Sequence, residues 1–263
     1  MRLARRPSVV FLALLVAAAA MAPALARRDP TEMNKAASLT LPSWVNPMGT
    51  DQFGRDILSR LLYGSRVALA IGLGATSGAA ALGIPLGLWA GFAGGRADGV
   101  VMRGVDTLLA VPPVLLAMGL VAMTGPGSLN AGIAVLVVSL PQFARLARAG
   151  TLVQKGMEYA EAAAAMGATD ARIVFRAILP NILSPLVVQA PIAASRAILL
   201  EASLSFLGLG TQPPTPSWGL MVSESRNYMY AAPWYGVFPG ALITLTVLAL
   251  NGVSDLVRRG RRS

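Results

Sequence analysis

Apolar residues occur along this chain in long blocks that are separated by shorter polar stretches. Six of these blocks approach about 20 residues, which is the length that a helix needs to cross the hydrocarbon layer of a membrane. The pattern therefore predicts six membrane-spanning helices. Their limits fall near residues 8–26, 67–92, 105–123, 131–147, 182–200 and 235–257.

The composition agrees with a membrane protein and argues against catalysis by this chain. Hydrophobic residues make up 55% of the sequence and charged residues only 13%, whereas a soluble domain carries about 25% charged residues. The sequence has no cysteine and no histidine, so thiolate metal sites, disulfides and the commonest general base are all excluded. We expect an all-α, polytopic membrane protein that is not an enzyme and that holds no metal.

The distribution of basic residues explains the net charge of +10. With a cytoplasmic N-terminus, the cytoplasmic side receives fourteen Lys and Arg residues and the far side seven, while Arg196 falls inside the fifth span. Basic residues concentrate on the cytoplasmic side of membrane proteins. We therefore expect both termini in the cytoplasm, a multi-pass protein of the inner (plasma) membrane in contact with the lipid bilayer, and no nucleic acid as a partner.

The beginning of the chain permits two interpretations. MRLARRP, an apolar stretch and then MAPALA are typical of a secretory signal with a cleavage site after Ala26. The apolar stretch is long for a signal peptide, which favours an uncleaved first span. On that interpretation residues 1–66 form a transmembrane helix, a periplasmic loop and an amphipathic elbow, and residues 67–263 form the core domain.

Glycines recur at intervals of four in the second predicted span. Gly83, Gly87 and Gly91 lie in GIPLGLWAG, and this spacing produces a smooth face that another helix can approach closely. We expect a packing surface here, although the sequence does not identify the helix that covers it.

The polar stretch 150–180 has the pattern of a helix-turn-helix. Residues 158–166 consist mostly of good helix formers, and Gly167 provides a stop. Thr169 or Asp170 can cap a second short helix that ends at Pro180. The alanine-rich surface of the first helix suits docking into a groove on a partner.

Two further stretches carry charged or rigid residues outside the spans. In GTDQFGRD, Gly49 and Gly54 allow tight turns, and Asp51, Arg55 and Asp56 are expected to pair with one another. The helical spacing of apolar residues 57–62 predicts an amphipathic helix on the outer membrane surface. A bend in the chain that leads into the second span, a structural elbow, would explain the same spacing. PPTPSWG, residues 213–219, is too rich in proline to be helical throughout. A rigid stretch of this kind suits an extended wall or a ledge on which a partner docks, and Trp218 is equally well explained as an interfacial anchor.

These motifs resemble those of a known family. EAAAAMG followed by ILP resembles the EAA loop of permease subunits of binding-protein-dependent ABC importers, with one departure at Ala177. Residues 46–66 and 201–219 resemble the dipeptide, oligopeptide and nickel subfamily, and specifically the shorter of its two permeases. The resemblance extends over about residues 46–255.

The resemblance implies a type I ABC importer-like fold with a cytoplasmic coupling helix. It implies as partners a second permease, which the family pattern makes a different chain, two cytoplasmic ATPase subunits or domains, and an extracytoplasmic substrate-binding protein. ATP and Mg would be bound by the ATPase partners, and no cofactor by this chain, whose sequence contains no GxxxxGK[ST] loop. The implied ATPase-coupling residues are Glu158, Glu161, Ala162, Ala163, Gly167, Leu179 and Pro180. The candidates for the periplasmic surface or translocation path are Gly49, Thr50, Asp51, Gly54, Arg55, Asp56, Glu201, Pro214 and Trp218.

Two other classes of function were weighed against this one. A transporter driven by an ion gradient needs ionisable residues near the membrane midplane, and apart from Arg196 the predicted spans hold almost none. A structural scaffold would show no dependence on a substrate. Arg196 itself either lines a polar cavity or binds a partner subunit, and the sequence leaves both possibilities open.

Overall fold

The computed structural model describes residues 7–260 and is almost entirely helical. The charged ends of the chain, including Arg2, Arg5, Arg6, Arg261 and Arg262 of the predicted cytoplasmic set, lie outside the described residues. The helices are α1 (Pro7–Ala20), α2 (Ala22–Leu25), α3 (Ile57–Ala93), α4 (Gly95–Ala110), α5 (Pro113–Thr124), α6 (Ser128–Lys155), α7 (Glu158–Ala165), α8 (Asp170–Arg172), α9 (Leu179–Phe206), α10 (Trp218–Ser225) and α11 (Pro233–Gly260). A π-helical turn, Ile173–Ile178, joins α8 to α9 without a break.

Four helical runs in the described part of the chain are long and apolar enough to cross a membrane. They are Ile57–Ala93, Ser128–Lys155, Asp170–Phe206 and Pro233–Arg259, and they coincide with the second, fourth, fifth and sixth predicted spans. The first predicted span corresponds to α1, whose 14 residues extend about 21 Å at 1.5 Å per residue. This length is shorter than the hydrocarbon layer of about 30 Å.

The third predicted span is wrong as a single straight helix. Helices α4 and α5 together have the required length and composition, but they are bent by 95° at the break between them. The cause is the pair Pro112–Pro113. A proline disfavours the helical conformation in the residue before it, and Val111 accordingly has extended backbone angles.

The amphipathic helix predicted before the second span is not a separate element. Residues 57–62 form the first turns of α3, which continues for 37 residues, about 55 Å at 1.5 Å per residue. Ile57 and Leu61 are fully buried against other helices. These residues therefore anchor one end of α3 inside the protein and do not lie on a membrane surface.

The predicted glycine face of α3 is confirmed, and the helix that covers it is α6. A Cβ atom on Gly83 would lie 2.7 Å from the carbonyl oxygen of Leu140, and one on Gly87 would overlap the carbonyl oxygen of Ala144. Gly91 faces the backbone of Arg148 in the same way. Because both rows repeat every four residues, the two helices pack backbone against backbone along a shared ridge.

Helix α9 packs against this pair and completes the central bundle. Ile198 fills the space over Gly72 of α3, and Ile182 fills the space over Gly150 of α6. Helices α1 and α11 cover the bundle from one side, where Leu15 and Leu250 are buried. Ser8 of α1 lies directly over Gly252 of α11, and Ser254 of α11 donates to the carbonyl of Val188 in the first part of α9. The two ends of the described chain are therefore at the end of the bundle that carries α7.

Adding one methyl group to the glycine face tests its importance. We expect Gly87→Ala to destabilise the purified protein by about 2 kcal/mol, because overpacking forces the two backbones apart, and so to lower its melting temperature in detergent by roughly 5 °C. Gly74→Ala is the matched control, since a Cβ on Gly74 meets nothing within 4 Å. Equal melting temperatures for the two variants would contradict the packing described here.

Candidate functional site

The helix-turn-helix predicted within residues 150–180 is present and lies between α6 and α9. Helix α7 begins two residues after Gly156, and Glu158 and Glu161 occupy its first turn. Negative charges at this position interact favourably with the positive end of the helix dipole. The end of α7 meets a sharp turn, which redirects the chain into the start of the fifth long helical run.

Gly167 forms this turn through a specific backbone arrangement. Its φ of 79° lies in the left-handed region, which is unfavourable for a residue with a Cβ. The N–H of Gly167 donates to the carbonyl of Ala164, and the N–H of Ala168 donates to that of Ala163. These two bonds define a Schellman motif, so the predicted glycine stop is confirmed in detail.

Helix α7 has one packed face and one free face. Ala160 is buried, and Ala163 packs with it against Ile173 and Ile178 below. Glu158, Glu161, Ala162 and Met166 are exposed. The short alanine side chains therefore hold α7 close to the bundle while they leave its outer surface shallow.

A cavity of about 360 Å³ adjoins the turn. Its lining combines Met166 and Gly167 from the turn with Arg172 and Arg176 from the following helical run. Both arginines are exposed. The surface around the turn thus presents carboxylates on α7 and guanidinium groups beside the cavity.

The predicted stop at Pro180 is wrong, because the helix continues through it. Thr169 caps the run, accepting a hydrogen bond from the N–H of Arg172 at 3.4 Å, and the run then extends without interruption to Phe206. A proline in a regular α-helix clashes with the carbonyl four residues before it. The π-helical turn over Ile173–Ile178 widens the helix immediately before Pro180 and so accommodates the proline ring.

The candidate coupling residues do not all share one surface. Pro180 is exposed, but Leu179 is half-buried and packs against the apolar cluster beneath α7. Leu179 therefore supports α7 from below and Ala163 lies on the packed face of α7, whereas Glu158, Glu161 and Ala162 are available to a partner.

At the opposite end of the bundle the structure brings together five polar side chains that we call the charged cluster: Asp51, Arg55, Arg60, Glu224 and Tyr235. Arg60 lies 3.1 Å from Asp51 and 2.8 Å from Glu224, and Arg55 contacts the same two carboxylates. The Tyr235 hydroxyl donates to Glu224 at 2.7 Å. Two positive and two negative charges thus balance each other.

Burial and charge pairing act in opposite directions on Arg55. Its side chain is only 2% exposed. Burial alone lowers the pKa of the Arg55 guanidinium, but the neighbouring Asp51 and Glu224 carboxylates outweigh that effect and the pKa is raised overall. Arg55 therefore stays charged, and it requires both carboxylates to compensate for its loss of water.

Asp56 does not join the predicted group of paired charges. Its carboxylate accepts hydrogen bonds from the N–H and the hydroxyl of Ser59, at 2.8 and 2.7 Å. Asp56 is thus the N-cap of α3. The expected pairing with Arg55 is wrong because the cap holds this carboxylate on its own helix.

Trp218 belongs to the core and is not an interfacial anchor. It is 1% exposed, it packs on Gly64, and its indole N–H donates to the carbonyl of Leu61 at 3.1 Å. Glu201 is also 1% exposed and accepts a hydrogen bond from Ser205 at 2.7 Å. Trp218 therefore holds α10 against α3, whereas Glu201 binds Ser205, whose hydroxyl accepts a hydrogen bond from the Thr211 N–H in the turn after α9.

Most of the remaining candidates at this end are buried as well. Gly49, Thr50 and Gly54 lie within the folded loop before α3, while Pro214 is exposed. The geometry therefore favours a structural role for this stretch over contact with a passing solute.

Sequence reasoning missed three members of the charged cluster. Arg60, Glu224 and Tyr235 lie on α3, α10 and α11, and the first two are 164 residues apart. The only available signal was the presence of charged residues beside long apolar blocks, which does not reveal the partner.

Comparisons with known proteins bear on this arrangement of helices. The family described as "Binding-protein-dependent transport system inner membrane component" matches residues 83–262, which include α7 and its turn. The chain belongs to this family. It is thus a permease component of an ABC transport system, located in the inner membrane.

Curated relatives of this permease cover nearly the whole chain. The "Di/tripeptide transport system permease protein DppC" of Pseudomonas aeruginosa is 44% identical over 95% of this chain and 84% of its own length. The "Dipeptide transport system permease protein DppC" of Haemophilus influenzae is 41% identical over 95% of this chain and 87% of its own. The "Glutathione transport system permease protein GsiD" of Pectobacterium atrosepticum is 46% identical over 82% and 72%.

Solved structures support the same fold for the permease. A chain of the MetNI methionine ABC transporter in an inward-facing conformation superimposes with a TM-score of 0.67. The superposition covers 77% of this permease and 97% of that chain, at 22% sequence identity. The fold is therefore that of type I ABC importer permeases, as the sequence motifs predicted.

Removing one carboxylate tests the charged cluster of the permease. We expect Glu224→Gln to destabilise the protein by about 3 kcal/mol, because two buried guanidinium groups then share a single counter-charge. The measurement is thermal unfolding in detergent.

The matched control is Asp255→Asn, which breaks an exposed pair with Arg258 on α11 and should change stability by less than about 0.5 kcal/mol. If Glu224→Gln unfolds at the same temperature as this control, the cluster does not hold α3, α10 and α11 together.

Proposed function

We propose that this chain is the permease subunit of an ATP-driven peptide importer and that α7 couples it to separate ATPase subunits. The observation that carries the proposal is the free surface of α7 at the end of two long helices, in a chain whose curated relatives are named as di- and tripeptide permeases. A second permease would complete the translocation path, and an extracytoplasmic binding protein would deliver the peptide.

The position of α7 suits the transmission of force. It is joined to α6 at one end and, through the Gly167 turn, to the run that contains α9 at the other. Both runs are long enough to cross a membrane. A partner that moves α7 would move both helices as rigid bodies, which is how alternating access operates in transporters of this general kind.

The surface chemistry suits a folded protein partner. The exposed alanines of α7 allow close approach, and the cavity beside Gly167 can receive a side chain from the partner. Glu158 and Glu161 on one side and Arg172 and Arg176 on the other offer complementary charges that would fix orientation. ATP and Mg would be bound by that partner.

The proposed orientation puts α7 and both termini in the cytoplasm. The two ends of the described chain lie close together, with Ser8 over Gly252, and at the α7 end of the bundle, where Ser254 donates to the carbonyl of Val188 in the first part of α9. Arg145, Arg148 and Lys155 lie near that end on α6. This placement follows the preference of basic residues for the cytoplasmic side.

Uptake and purification test the proposal together. A strain that lacks the chain should lose uptake of radiolabelled dialanine, and the wild-type gene should restore it. The tagged chain, purified in mild detergent and analysed by mass spectrometry, should retain an ATPase and a second permease. Recovery of the chain alone after cross-linking would refute the importer assembly and favour a gradient-driven transporter.

The Gly167 turn provides a sharper test of coupling. Gly167→Pro fixes φ near −65° where the turn has +79°, and it removes the N–H that donates to Ala164. We expect this variant to insert into the membrane normally, to retain ATP hydrolysis by the assembly, and to lower peptide uptake by about tenfold.

The matched variant for the same position is Gly167→Asn, because asparagine tolerates the left-handed conformation. It should retain most of the uptake. Equal uptake by the proline and asparagine variants would show that the shape of the turn does not matter for coupling.

A further inference from the structure

Arg196 lies inside the fifth predicted span, in an environment that differs from that of Arg55 and Arg60 in the charged cluster. It lies on α9, ten residues before Phe206 at the helix end, a distance of about 15 Å along the helix. Arg196 therefore lies within the membrane-spanning run Asp170–Phe206 and within the fifth predicted span, residues 182–200. Arg196 is nevertheless exposed, whereas the arginines of the charged cluster are buried.

No carboxylate of the described chain pairs with Arg196. The ion pairs within residues 7–260 use Arg55, Arg60, Arg145, Arg148 and Arg258. Glu201, five residues further along α9, is buried and bonded to Ser205. An exposed arginine within a membrane-spanning run is costly in contact with lipid, so we infer that it faces a water-filled path or a partner.

The contacts of Arg196 form a donor-rich site. Its Nη1 donates to the Oε1 atom of Gln142 at 3.3 Å, and Nε2 of Gln189 donates to the same oxygen at 3.0 Å. Because the Gln142 carbonyl already accepts two hydrogen bonds, the Gln142 amide group and the other guanidinium N–H groups remain as donors. Such a set of donors is complementary to an anion and above all to a carboxylate.

The walls around this site are apolar and of suitable size. A cavity of about 300 Å³ brings Arg196 and Gln142 together with Pro113 and Val114 of α5 and with Leu199 of α9. The hydroxyls of Ser139 and Ser203 in the same lining donate to carbonyls of their own helices. An apolar cavity with a few converging donors at one point is the usual form of a small-molecule site.

We propose that Arg196 and Gln142 bind the terminal carboxylate of a peptide as it crosses the membrane. The proposal rests on the proposed function as a peptide permease and names the chemical group that the path would recognise. The guanidinium supplies the charge, and Gln142, held in place by Gln189, supplies a second donor. The apolar walls would contact the peptide's side chain.

The alternative occupant is an acidic residue of the second permease. Nothing in the described chain supplies such an acid, whereas the cavity beside Arg196 has room for a small solute, and this favours the substrate. The two occupants predict different results when Arg196 is replaced, and the experiment below separates them.

The test compares two probes in cells. A strain that lacks the chain is complemented with the wild type, Arg196→Gln, Arg196→Lys or Arg258→Gln. In each strain we would measure the initial rates of uptake of radiolabelled dialanine and of dialanine amide. The rate of the uncomplemented strain is subtracted as background. The binding protein is the same in every strain, so a change in the ratio of the two rates between strains reports the permease alone.

We expect the wild type to prefer dialanine over its amide, and Arg196→Gln to lower that ratio by about tenfold, the effect of losing a charge-assisted hydrogen bond. Arg196→Lys should keep part of the preference because it keeps the charge. Arg258→Gln, which alters an exposed pair, should behave as the wild type.

Four results would overturn the proposal. Unchanged rates for both probes in Arg196→Gln would show that Arg196 is dispensable. An equal loss of both rates, with less second permease recovered on purification, would place Arg196 at the subunit interface. An equal loss of both rates with the assembly intact would show that Arg196 acts in the conformational change of the transporter and not in recognition of the carboxylate. If the wild type takes up no dialanine, the peptide function itself fails, and this proposal fails with it.

Discussion

The close approach of α3 and α6 is the contact on which the rest of the bundle depends. Within a membrane, apolar surface gives little drive for helices to associate, so small residues that admit another backbone decide which helices meet. Gly83, Gly87 and Gly91 create that contact. Helix α9 then packs against both partners, and α7 connects α6 to the run that contains α9.

Arginine has two distinct roles in this framework, which are set by burial and by available partners. Arg55 and Arg60 are buried with two carboxylates and hold together helices that are distant in sequence. Arg196 has the same guanidinium group, but it is exposed, and its hydrogen bond is to the uncharged amide of Gln142. Buried arginines paired with carboxylates therefore stabilise one end of the protein, whereas the arginine on α9 has no carboxylate partner among the described residues.

The features predictable from sequence were those determined by neighbouring residues. Long apolar blocks predicted the helical spans, the spacing of glycines predicted the packed face of α3, and Gly167 predicted the turn after α7, because each depends on residues a few positions apart. The charged cluster was not predictable, since Arg60 and Glu224 are 164 residues apart and only the folded chain brings them together.

Prolines were the least reliable local signal in this chain. Pro112 and Pro113 break a span that was predicted to be straight, whereas Pro180 lies in a helix that was predicted to end there. The difference arises from the preceding backbone. A π-helical turn before Pro180 makes room for its ring, and the extended residue Val111 before Pro112 does not continue the helix.

Because the charged cluster and Trp218 support the fold, they limit where the substrate preference of this permease can be altered. The loop before α3 and the first turns of that helix support the fold. Arg55 compensates carboxylates, Asp56 caps α3, and Gly64 within α3 makes room for the indole of Trp218. Substitutions in this loop are therefore expected to change stability and not the choice of cargo. An engineer who wishes to retarget the importer should keep it unchanged and vary side chains on the open faces of α5, α6 and α9.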